Sequence, residues 1–143
     1  MDDIDPTLCT HIVYSFAVLD PNNHVLKAND PWLDLDRSGG FRGWNLGGFS
    51  KFTALKEKHP NVKFMLALGG WKDSELSKYS KLLASEEKIE NFVRHAVTFL
   101  QRYGFDGLDL DFKYPGQVWK RDSRVFLGAL PRFCKRRETL FVS

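Results

Sequence analysis

Cysteine, histidine clusters and long apolar runs are all scarce in this sequence, and each scarcity closes off a class of protein. Two cysteines in 143 residues, Cys9 and Cys134, are too few and too far apart for a zinc site, whose ligands come in paired short spacings. They leave open two reduced, buried thiols or one bond between them. The four histidines, His11, His24, His59 and His95, have neither the spacing of a metal pair nor that of a nucleophile's base, so structural or surface roles are expected and no metal or other cofactor. No apolar run approaches the roughly 20 residues that span a bilayer, so no membrane partner is expected. The N-terminal MDDIDP carries neither the basic nor the apolar region of a secretory signal.

What is present is ordinary for a globular chain: 43% hydrophobic and 27% charged residues. Charge is uneven. Residues 117–143 carry 7 Lys and Arg against 2 Asp and Glu, whereas residues 1–116 carry 14 against 16, which together give the overall +3. The run Lys135, Arg136 and Arg137 is read as a solvated helix end rather than a nucleic-acid contact, because no recognition fold accompanies it. Asp34, Asp36, Ser38 and Gly39 imitate the start of a calcium loop, but the twelfth position is Asn45 instead of a bidentate Glu, and a plain turn is expected.

Strand and helix patterns alternate along the chain, as in repeated βα units. Residues 12–18 read as a strand, followed by a loop rich in Asp, Asn and Gly as far as Gly48; residues 50–59 read as a short helix stopped by Pro60, and 62–68 as the next strand. The clearest helix runs from the N-cap Ser85 through Ile89, Phe92, Val93, Ala96, Val97, Leu100 and Tyr103 to a stop at Gly104. A further helix over 122–133 is poorly made, because Pro131 lies inside it and an interior proline costs about 3 kcal/mol. The last residues, 140–143, read as the beginning of another strand.

The most informative stretch is residues 106–116, DGLDLDFKYPG. As a strand it sends Asp109, Asp111 and Lys113 to one face and Leu108, Leu110 and Phe112 to the other. This is the pattern of a buried parallel strand whose apolar face lies under helices while its carboxylates point into a cavity, where they repel one another unless paired or protonated.

At Asp106, Gly107, Asp109, Asp111, Tyr114, Pro115 and Gly116 this stretch resembles the signature DGxDxDxEYPG of glycoside hydrolase family 18, the chitinase and chitinase-like family. Two further blocks are similar to it. Residues 63–71, KFMLALGGW, resemble the family's third strand and its glycine-rich exit, and residues 3–20, DIDPTLCTHIVYSFAVLD, resemble the second strand, with Tyr14 and Phe16 expected on one side by alternation. The resemblance is strongest over 3–116 and weak over 117–143. It implies an α/β fold, a partial TIM (β/α)8 barrel with about strands 2 to 4 or 5 and their helices. A full barrel needs about 250 residues, so the chain is expected to be one partial domain over 1–143, a fragment or incomplete gene model with first and last strands absent. Cys9 would then be left without its family partner.

The resemblance also implies roles. The family cleaves chitin by a substrate-assisted retaining mechanism, in which the substrate's own N-acetyl oxygen attacks the anomeric carbon. Asp111 would orient and stabilise the acetamido group, Asp109 would share a proton with Asp111, and position 113 would hold the proton donor. Phe16, Gly70, Trp71 and Tyr114 would line the site for chitin or a chitooligosaccharide. The family is mostly extracellular. This sequence departs from the signature at the position that matters most: Lys113 stands where the family has its general-acid glutamate, and Phe112 where it usually has tryptophan. An ammonium beside Asp111 keeps its proton at neutral pH, so the expectation is a domain without hydrolase activity, with sugar binding left open; a truncated fragment without function of its own, or an incomplete model of an active secreted chitinase, is the alternative.

Overall fold

A computed structural model of the chain describes residues 5–35, 47–74, 77–111 and 141–142. Within them the elements run β1 (His11–Leu19), β2 (Leu26–Ala28), α1 (Pro31–Leu35), α2 (Gly48–Ala54), β3 (Lys63–Gly69), α3 (Trp71–Ser74), α4 (Lys78–Leu83), α5 (Glu86–Tyr103), β4 (Gly107–Asp111) and β5 (Phe141–Val142). The five strands form one sheet in the order β2-β1-β3-β4-β5. β1, β3, β4 and β5 are parallel, and β2 folds back antiparallel along β1 with Leu19 opposite Leu26. Parallel neighbours joined through helices are the unit of an α/β barrel wall.

The helix α5 forms where its pattern placed it. The Ser85 hydroxyl accepts from the Lys88 amide at 3.4 Å, and Gly104 ends the helix in the left-handed region at φ 78°. Its buried stripe, Ile89, Phe92, Val93, Ala96 and Leu100, covers the sheet face that presents Phe64, Leu66, Leu68 and Leu108. Fully burying each large apolar side chain is worth about 1.5–3 kcal/mol. The segment expected as helix over 50–59 begins two residues earlier, at Gly48, and tightens after Ala54 into a 3₁₀ turn, Leu55–Glu57, ahead of Pro60. The expected 122–133 helix with Pro131, Cys134, the basic run 135–137 and the 36–45 turn lie outside the described residues.

Two expectations are corrected. The stretch from Asp20 to Gly48 is not all loop, for it holds β2 and α1. Tyr14 and Phe16 do not share a side. Tyr14 pairs with Leu66 and Ala17 with Leu68, so Ser15 and Phe16 together stand opposite Ala67 alone. That one extra residue is a β-bulge and reverses the alternation beyond it. Tyr14 consequently faces the helices, its ring 5.1 Å from Phe49 and 5.4 Å from Phe52, while Phe16 faces the opposite side of the sheet.

The Tyr14 hydroxyl donates to Asp34 at 2.7 Å, and the second oxygen of Asp34 accepts from the Asp30 amide at 3.2 Å. Burial raises the Asp34 carboxyl above the usual range despite these bonds, and burial together with the Asp34 contact raises the Tyr14 phenol. Gly48 is required beneath this pair, because a Cβ there would collide with the Tyr14 hydroxyl. The G48A chain is expected to unfold about 1–3 kcal/mol more easily, read from denaturant midpoints.

Two histidines make the stability of the fold depend on pH near neutrality. His24 is 8% exposed, and its pKa is lowered by burial and then by Lys88 and Lys81; that of His95 is lowered by burial, and neither the His24 Nε2 nor the His95 Nδ1 has a hydrogen-bond partner among the described residues. The unfolded chain therefore binds more protons than the folded one just below the ordinary imidazole value of about 6.5. Their contribution is fully present above that pH and is lost as pH falls through the lowered folded values. Thermal melts between pH 7.5 and 5 are expected to show the midpoint falling, with a shallower fall in the H24N/H95Q chain; an equal slope in both would refute this assignment.

Candidate functional site

Strand pairing decides which side chains gather. In the β3–β4 ladder Ala67 stands beside Asp109 and Gly69 beside Asp111. Adjacent residues in a parallel pair project to the same face, so small residues of β3 leave room for both carboxylates of β4. Leu108 belongs to the core on the other face and Leu110 packs against it. Asp109 and Asp111 are half-buried at the carboxyl end of the sheet, and the Asp111 carbonyl accepts from the Gly70 amide at 2.9 Å, which ties the end of β4 to the exit of β3. Open α/β sheets carry their sites at this end. Lys113 and Tyr114 lie outside the described residues.

The first aspartate of the signature does a different job. Asp106 accepts from the Phe64 amide at 2.8 Å and from the Lys56 ammonium at 2.6 Å, and its own amide donates to the Phe64 carbonyl at 2.8 Å. It fastens the start of β4 to β3 and to the turn after α2, at the end of the strand remote from Asp111.

At the exit of β3, where Gly69 pairs with Asp111, opens a cleft of about 230 Å³ whose walls include Phe16, Asn29, Gly70, Trp71, Lys72 and Asp73. The bulge in β1 brings Phe16 here, and the left-handed backbone of Gly69 and Gly70, at φ 118° and 79°, turns the chain out of β3 into α3 so that Trp71 stands at the rim. Trp71 is 58% exposed and Phe16 36%. An aromatic face open to solvent on the side of the sheet that carries Asp109 and Asp111 suits a ligand with flat apolar faces and polar edges, as a pyranose ring has. Among the described residues no three His, Cys, Asp or Glu side chains are grouped to hold a metal ion.

Behind Trp71 lies a buried polar cluster that sequence reasoning missed. Asp73, Lys78 and Tyr79 are 6%, 5% and 1% exposed. The Lys78 ammonium and the Tyr79 hydroxyl both donate to the Asp73 carboxylate, the Leu19 amide donates to it at 3.3 Å, and Lys78 also donates to the Leu19 carbonyl at 2.9 Å. Burial and the Asp73 contact raise the Tyr79 phenol far above its ordinary value, so it is a donor at any working pH. The one available signal was Lys78 in the apolar phase of Tyr79, Leu82 and Leu83; Asp and Lys are otherwise surface residues by default.

Residues 1–138 match glycosyl hydrolases family 18. Over 114 residues the chain is 46% identical to probable chitinase 10 of Drosophila melanogaster, covering 80% of this chain and 4% of that protein. Over 116 residues it is 44% identical to the endochitinase of Manduca sexta, covering 81% of this chain and 19% of that one. It superposes with a TM-score of 0.84 and 40% identity on a mutant of the Group II chitinase catalytic domain 2 of Ostrinia furnacalis in complex with penta-N-acetylchitooctaose, over 99% of this chain and 37% of that one. The open α/β sheet thus corresponds to a portion of a larger catalytic domain.

The geometry makes Gly70 a point of control. A Cβ there would stand 3.2 Å from three ring atoms of Phe16, on a backbone at φ 79°. The G70A chain is expected to lose about 1–2 kcal/mol of stability from the left-handed backbone alone, measured by urea unfolding. An unchanged midpoint would mean that the exit of β3 is not held as described.

Proposed function

We propose, on the premise that the chain belongs to glycosyl hydrolases family 18, that it is a chitinase-related domain that holds chitooligosaccharides without hydrolysing them. The observation that carries this reading is Lys113, at the position of the general acid in an otherwise matching signature. Three placements support the binding half: Asp109 and Asp111 on the face beside Ala67 and Gly69, Phe16 and Trp71 flanking the cleft, and Gly70 leaving the backbone open between them.

In this reading Trp71 and Phe16 take the apolar faces of the sugar, and Tyr114 lines the same site. Asp111 accepts from the N–H of the acetamido group and turns its carbonyl oxygen toward the anomeric carbon; Asp109 shares a proton with Asp111 and so sets how much negative charge faces the sugar. The bond then fails to break for want of an acid. The glycosidic oxygen must receive a proton as it leaves, and a lysine ammonium beside a carboxylate does not release one at neutral pH. Loss of general acid catalysis alone lowers a rate by about 10²-fold to 10⁴-fold. An ammonium paired with Asp111 would also occupy the group that steers the acetamide.

The partner is therefore an N-acetylglucosamine oligomer, encountered outside the cell as the family's substrate is. No cofactor enters the scheme, and neither nucleic acid nor membrane is a partner. Two measurements decide it. Chitopentaose is expected to bind the chain in isothermal titration, with affinity at least about tenfold weaker for W71A, and to remain uncut on prolonged incubation. Released N-acetylglucosamine or shorter oligomers would overturn the loss of catalysis, and absence of binding heat at millimolar sugar would overturn the binding.

A further inference from the structure

We propose that Asp73 is a positioning residue of the aromatic shelf, setting through α3 where the indole of Trp71 stands relative to Phe16. The ligand arm of this proposal rests on the sugar-binding reading; the geometric arm does not.

The helix α3 has four residues, of which Trp71 is the first and Asp73 the third. One turn of helix has no stability of its own. Gly69 and Gly70, both at positive φ, lead into it and offer no side chain to brace it. On the β4 side the Gly70 amide donates to the Asp111 carbonyl just before Trp71, but on the β1 side the sheet gives no support, because the β1–β3 ladder ends with Ala17 beside Leu68. Two residues further on, Leu19 has its amide taken by Asp73 at 3.3 Å and its carbonyl by Lys78 at 2.9 Å. Side chains continue the connection between β1 and the chain beyond β3 after the backbone ladder has stopped.

Both parts of the shelf are thereby joined through one carboxylate. Trp71 reaches Asp73 within a single helical turn, and Phe16 lies three residues before Leu19 on β1. Tyr79 and Lys78 close the arrangement from α4 and leave the Asp73 side chain largely buried. Such a buried pair adds little net stability compared with apolar residues of the same volume, but it admits few geometries. A role limited to packing α4 would leave Trp71 indifferent to the pair.

The test uses the full chain labelled with 5-fluorotryptophan, the Trp71 resonance being identified by its disappearance in W71F. The D73N/K78M chain removes both charges together, so no lone buried ion remains. Its Trp71 signal is expected to shift and broaden while that of Trp32 keeps its place, and the half-saturating concentration of chitopentaose is expected to rise about tenfold. A cooperatively folded D73N/K78M chain whose Trp71 signal stays at its original position overturns the proposal. Should that chain not fold, Y79F, which deletes one hydroxyl from the same carboxylate, is judged by the same resonance. If the unsubstituted chain binds no chitopentaose, the sugar-binding reading fails and the Trp71 resonance still decides the positioning role.

Discussion

The carboxylate of Asp73, buried and shared among Lys78, Tyr79 and the amide of Leu19, is the constraint on which the site side of this structure depends. It joins the end of β1, the single turn α3 and α4, between which the described residues make no backbone hydrogen bond. Taking an aspartate and a lysine out of water is expensive, and their attraction offsets this only when remaining donors and acceptors are also satisfied. Here they are, by a phenol on one side and by both backbone groups of Leu19 on the other. The chain leaving β3 through two left-handed glycines is thereby returned to a defined place.

The helix side of the sheet rests on different physics. Phe49 meets Tyr14, Tyr103 and Phe105 edge-on at centroid separations of 5.1, 5.4 and 5.2 Å, and Phe52 meets Phe64 at 5.3 Å. Such pairs contribute about 0.5–1.5 kcal/mol each beyond the area they bury. Two polar groups in this layer are paired, Tyr14 with Asp34 and Thr53 with the Tyr103 carbonyl at 2.9 Å. Thus one face of the sheet is held by apolar packing, and the other presents carboxylates and open aromatic rings. The three described aspartates of the DGLDLD stretch divide along the same line: Asp106 is consumed in fastening strands, whereas Asp109 and Asp111 stand on the cleft side.

Much of this was legible beforehand because it depends on local chemistry. The Ser85 cap, the apolar stripe of α5 and the Gly104 stop are read from neighbours in sequence, since each acts within one or two helical turns. The two-residue period of β4 likewise separates Asp109 and Asp111 from Leu108 and Leu110 without reference to the rest of the chain. β2 and α1 were missed because three residues of strand and five of helix, set among Asn, Asp and Pro, carry too few periods to stand out; β2 exists by pairing with β1.

By itself, then, the sequence determined the alternation of strands and helices, the faces of β4, the family and the lysine that stands in place of an acid. Only the tertiary structure decided that Phe16 opposes Tyr14, because a bulge is a property of two strands in register, and Ser15 becomes the extra residue only against Ala67. It also decided that Asp73 and Lys78, which read as surface charges, are buried together. Their environment is made by Leu19, 54 residues from Asp73 along the chain, and no local pattern encodes a contact at that separation.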